Sequence, residues 1–116
     1  MSNKSIIAAL FALPIVITQA SAHATLDHSD PRVGNTVKSS PSAVTLWFTQ
    51  KLEPAFSSAQ VTNASGAVVS SGASVSGSVM RVGVRSLPPG TYRVHWKVLS
   101  VDTHTTEGSF SFRVGQ

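Results

Sequence analysis

The chain has no cysteine, which excludes both a disulfide framework and any thiolate metal site, so a bound metal has only nitrogen and oxygen ligands to draw on. Charged residues are sparse at 12% and aromatics sparser at 7%. The basic residues that follow the first segment are Arg32, Lys38, Lys51, Arg81, Arg85, Arg93, Lys97 and Arg113. They are scattered and form no run. A nucleic-acid surface would cluster them among stacking aromatics, so nucleic acid is excluded as a partner. No long segment carries a 3.6-residue apolar period, which argues against helices. A phosphate-cradling glycine loop is absent, as is the G-x-S-x-G elbow of serine hydrolases. Asp27, Asp30, Glu53 and Glu107 show no spacing that would pair them as catalytic acid and base.

No apolar run is long enough to cross a bilayer. The longest, "IIAALFALPIVI" from Ile6 to Ile17, falls short of the roughly 20 residues a span requires. It follows Lys4 and precedes a small polar stretch with Ala20 and Ala22 in an A-x-A arrangement. That is the layout of a secretory signal peptide cleaved after Ala22. The expected organisation is therefore a leader over residues 1–22, removed on export, and one domain over residues 23–116. Loss of Lys4 lowers the formal charge from +4 to +3, a balance read as solvation. One core is possible at this length, and a monomer is expected.

What is present is period-2 alternation. "AVTLWF" sets Val44, Leu46 and Phe48 on one face. "TYRVHWKVLS" turns Tyr92, Val94, Trp96 and Val98 inward and Arg93, His95 and Lys97 outward. "GSFSFRV" sets Phe110, Phe112 and Val114 against Ser111 and Arg113. "SAQVTNASGAVVSS" reads as two short strands around the turn Asn63-Ala64-Ser65-Gly66, and "SVMRVGVRS" as another strand, ended by "LPPG". The pattern predicts an all-β fold, a seven-stranded Greek-key sandwich or barrel of immunoglobulin-like type. Trp96 is expected in the core, and Met80 is expected to pack within a strand. "SSGASVSGS", Ser70 to Ser78, is read as a loose loop.

Four histidines follow the leader: His23, His28, His95 and His104. His95 alternates outward and reads as a surface residue. His28, in "LDHSDP", falls in a polar turn-forming stretch near the start. His23 differs, because cleavage after Ala22 would give it a free α-amine, which loses its proton far more readily than a lysine. That nitrogen and the imidazole Nδ1 can close a six-membered chelate ring on one ion, an arrangement suited to Cu(II). "HAT" is not an X-X-His terminus, so binding through successive backbone amides is not available. "SVDTHTTEG" supplies Asp102 and His104 with one residue between them, a spacing that faces one side in an extended segment. Two imidazoles, an amine and a carboxylate make a four-ligand set for Cu(II).

"HATLDHSDPRVGNTV", "VTLWFTQKLEPAFSSAQV" and "LPPGTYRVHWKVLSVDTHTTEGSFSFRV" together resemble the CopC family of periplasmic copper-binding, copper-resistance proteins, over His23 to Val114. The resemblance implies a small Greek-key sandwich and a Cu(II) site formed by His23, Asp102 and His104. It implies a periplasmic role in copper resistance, buffering or delivery to an inner-membrane copper transporter of the CopD type. Some members also bind Cu(I) through a methionine-rich loop, whereas residues 23–116 hold Met80 alone, so a Cu(II)-only protein is expected. Members commonly carry a glutamate where this chain has Gln50. Further ligands from His28, Gln50, Glu53 or water stay open. Exchange is expected through loosening of the terminal arm. Two other readings stand beside this one: a histidine-brace copper oxidase or monooxygenase, and a metal-free immunoglobulin-like interaction module.

Overall fold

A computed structural model describes residues 23–115; the expected leader lies outside the described residues. Eight strands are formed: β1 (Leu26–Asp30), β2 (Thr36–Val37), β3 (Ala43–Phe48), β4 (Ser58–Thr62), β5 (Ser70–Ser76), β6 (Val79–Val84), β7 (Gly90–Leu99) and β8 (Thr105–Val114), with a short 3-10 turn at Pro54–Phe56. They build two four-stranded sheets, ordered β1-β3-β6-β5 and β2-β8-β7-β4. Every pairing is antiparallel except β2 with β8. The fold is the expected all-β sandwich. Eight strands stand where seven were expected, and the two that no quoted segment marked are the polar β1 and the two-residue β2, which is too short to leave a pattern in the sequence.

The alternation places the core as read. Val44 and Leu46 of one sheet and Val94, Val98 and Phe112 of the other are all fully buried in one hydrophobic core. Trp96 of β7 meets Phe48 of β3 edge to face at 5.1 Å, which ties the two sheets together near one end of the sandwich. Burying side chains of this size stabilises the fold by roughly 1.5–3 kcal/mol each. Gly108 lies opposite Trp96 in the β7–β8 ladder, and the indole occupies the space a side chain there would need. Met80 is fully buried in β6, so it packs as expected.

Two local readings need correcting. Ser70–Ser76 is a strand, not a loop. It is the outer edge of the first sheet, and four consecutive residues, Ser71 to Ser74, are exposed, so no buried side chain marks an alternation. His28 lies in β1 and not in a turn, opposite Trp47 of β3. In that strand only Ser29 is buried, which leaves a polar sequence with no apolar face to read.

Candidate metal centre

The connection from β7 to β8 is a tight turn. The Ser100 N–H donates to the His104 carbonyl at 2.9 Å, and the Thr103 N–H donates to the Ser100 carbonyl at 2.8 Å. Thr103 takes φ of 72°, a left-handed conformation uncommon for a β-branched residue. The turn is fixed sideways as well, since the Val101 N–H donates to the Lys51 carbonyl at 3.0 Å and Ser100 bridges to Leu52. Asp102 and His104 are therefore not on one face of an extended segment. They meet because the turn folds back: His104 Nδ1 and Asp102 Oδ1 are 3.4 Å apart, long for a hydrogen bond.

Ser100 is wholly buried, and its hydroxyl donates to Asp102 Oδ1. That hydrogen bond is the main reason the Asp102 carboxyl is held below the usual carboxylate range. Partial desolvation works in the opposite direction, and His104 adds to the lowering. Asp102 thus presents an anion, steadied at one oxygen by Ser100.

The terminal arm arrives from the other side. Ala24 is fully buried in the core, and its carbonyl accepts a hydrogen bond from the Thr106 hydroxyl at 2.6 Å. Thr25 and Thr49 pair through the backbone, with the Thr49 N–H donating to the Thr25 carbonyl at 2.9 Å. The Thr25 N–H in turn donates to Thr49 Oγ1 at 3.0 Å. These contacts leave His23 exposed at the rim, with its ring 4.4 Å from that of His104 and nearly perpendicular to it. The three expected residues are thus gathered at one end of the sandwich as two neighbouring pairs. Among the described residues, no three histidine, aspartate or glutamate side chains already converge as a finished cage. The donor types, two imidazoles and a carboxylate, suit a divalent copper ion.

The remaining histidines are engaged elsewhere. His28 Nδ1 lies 2.7 Å from the Asp27 carboxylate, and its ring stacks flat on Trp47 at 4.3 Å. His95 Nε2 lies 3.0 Å from Glu107 on the outer face of β7 and β8, an exposed pair worth little in stability. Glu53 opens the 3-10 turn, and its N–H donates to the Leu99 carbonyl at 2.8 Å. Sequence reading missed Ser100, Thr49 and Thr106, whose hydroxyls hold the donor-bearing segments. Nothing in their spacing signals it, because Thr106 and Ala24 are 82 residues apart.

The fold and this end of it define a small two-sheet sandwich that offers imidazole and carboxylate donors from a terminal arm and a hairpin turn. The CopC domain model matches residues 26–115, and the chain belongs to the CopC family. It is 35% identical over 115 residues to the copper resistance protein C of Xanthomonas campestris pv. juglandis, covering 90% of each chain. The crystal structure of CopC from Methylosinus trichosporium OB3b superposes with a TM-score of 0.77 at 32% identity, over 80% of this chain and 94% of that one. PcoC, a methionine-rich copper resistance protein from Escherichia coli, superposes with a TM-score of 0.72 at 32% identity, over 80% of this chain and 99% of that one. CopC proteins bind copper, and the function of this chain is copper-related.

Proposed function

We propose that the chain is exported to the periplasm, loses residues 1–22, and binds one Cu(II) without catalysing a reaction. The ligands are the α-amine and imidazole of His23, the imidazole of His104 and the carboxylate of Asp102. The observation that carries this reading is the approach of His23 to His104, 4.4 Å between ring centres, beside an Asp102 carboxylate 3.4 Å from the His104 ring nitrogen. Histidine binds metal as the neutral imidazole, so acid, by protonating the ring, releases the copper. A single methionine in residues 23–116, buried in β6, supports Cu(II) over Cu(I), in contrast to the methionine-rich PcoC. The physiological role that fits is copper tolerance, by buffering the ion or passing it to an inner-membrane transporter of the CopD type. One observation weighs against the histidine-brace oxidase, since His28 covers the Trp47 indole that could otherwise serve as a flat platform; in the proposed ligand set the Asp102 carboxylate would also take a position that such an oxidase keeps open.

A Cu(II) competition titration on two proteins tests the proposal. One begins at His23, and the other carries a single glycine before it. The added glycine leaves the seating of Ala24 unchanged but turns the His23 α-amine into a peptide nitrogen, which removes the free-amine ligand. Changing a residue that merely supports a metal ligand already costs 10–100-fold in affinity, so losing a ligand predicts a drop beyond about 100-fold, or ~2.7 kcal/mol. Equal binding by both proteins would move the site away from the terminus. Binding by neither would refute the proposed ligand set.

A further inference from the structure

Thr106 points inward from β8, on the same side of the strand as Gly108, Phe110 and Phe112. Valine has nearly the same shape and would bury more apolar surface there, so packing alone does not call for a hydroxyl. The hydroxyl instead reaches across to the carbonyl of Ala24 at 2.6 Å. It joins two segments one step removed from the metal donors, since Ala24 follows His23 and Thr106 lies two residues past His104. Because Ala24 is fully buried, its carbonyl needs a partner, and removing the Thr106 hydroxyl takes away the one that β8 supplies.

We infer that Thr106 is a positioning residue, a latch that sets the terminal ligand in register with His104 and governs how fast Cu(II) leaves. The inference rests on the copper site proposed above. Without the latch the arm still has the Thr25–Thr49 pairing, so the domain keeps its fold while His23 swings more freely. A loosened arm opens a bidentate ligand first, which raises the rate of release. The amine and imidazole of His23 then also sample more than one geometry about the ion.

The test uses the chain beginning at His23 with Thr106→Val and Thr106→Ser. Release of Cu(II) to a strong chelator is timed by stopped flow, the Cu(II) electron paramagnetic resonance spectrum is recorded, and metal-free thermal midpoints are compared. Thr106→Val is expected to release copper about tenfold faster, the lower end of the effect of outer-shell partners, and to shift or broaden the spectrum. Thr106→Ser, which keeps the hydroxyl, is expected to restore both. Wild-type release and spectrum in Thr106→Val would overturn the latch while leaving the ligand set standing. Faster release that serine does not rescue, or with an unchanged spectrum, would make Thr106 a packing residue and overturn it as well. Failure of the wild-type chain to bind one Cu(II) would remove the underlying site, and the latch with it.

Discussion

The contact between Gly108 and Trp96 gives a prediction with a built-in control. A Cβ placed on Gly108 would stand 2.6 Å from Trp96 Cζ2, 3.0 Å from Cε2 and 3.3 Å from Cη2. The indole is rigid, buried at 8% exposure, and backed by Phe48 at 5.1 Å, so it has nowhere to retreat without moving the other sheet. Overpacking of this kind costs about 1–3 kcal/mol. Replacing glycine returns about 0.5 kcal/mol by restricting the unfolded chain, which leaves Gly108→Ala roughly 0.5–2.5 kcal/mol less stable. At about 4–8 °C per kcal/mol for a domain of this size, a middle value of ~1.5 kcal/mol lowers the melting temperature by about 6–12 °C. Gly83→Ala meets an equally close atom, Ser71 Oγ at 2.6 Å, but that atom is a rotatable hydroxyl on the exposed edge strand β5. Its midpoint should stay within about 2–4 °C of wild type, the equivalent of ~0.5 kcal/mol. Thermal unfolding of the metal-free proteins, followed by calorimetry and by tryptophan near-ultraviolet circular dichroism, reads both effects. A Gly108→Ala midpoint at or above wild type would refute the packing argument, and so would equal losses in the two variants.

Two further outcomes follow from residues at and away from the donor end. Because the Ser100 hydrogen bond lowers the folded pKa of Asp102, the carboxylate's contribution to stability is present above its unfolded pKa and is lost as pH falls through the folded value. The stability gap between wild type and Asp102→Asn in metal-free protein should thus be constant from neutral pH to about 4 and shrink below it; denaturant titrations across that range would contradict this if the gap persisted unchanged in stronger acid. Met80→Leu, a near volume-conserving change at a fully buried site, should cost less than about 1.5 kcal/mol and leave metal binding untouched. A change in Cu(I) or Cu(II) affinity in that variant would contradict the packing role.

The strands that were legible in the sequence are those with contrast between their faces. β3, β7 and β8 alternate large apolar residues with polar ones, and each is buried as its period requires. β1 and β5 lacked that contrast. Ser29 is the inward residue of one, and serines occupy both faces of the other, so an exposed edge strand and a loop read alike. At the donor end, the nearness of Asp102 to His104 was foreseeable, but its cause was not. Extended spacing suggested it, whereas a turn with Thr103 in the left-handed region produces it. The anchoring of the arm was hidden for a different reason: the contacts of Ala24 with Thr106 and of Thr25 with Thr49 span 82 and 24 residues, and no local pattern encodes a partner that distant.

The bond from Thr106 to Ala24 also closes almost the whole domain into a ring, since it joins the first described residues to the last strand. In a chain without cysteine, the proposed ion between His23 and His104 would act at the same seam as a removable staple. A disulfide closing a loop of about that length is worth roughly 4–5 kcal/mol on a chain-entropy reckoning. Copper would supply a tie of the same kind, and binding selectively to the folded state would raise stability in step with its free concentration. With that site in place, such a domain would be most resistant to unfolding and proteolysis when the metal is abundant, and it would slacken as the metal is withdrawn.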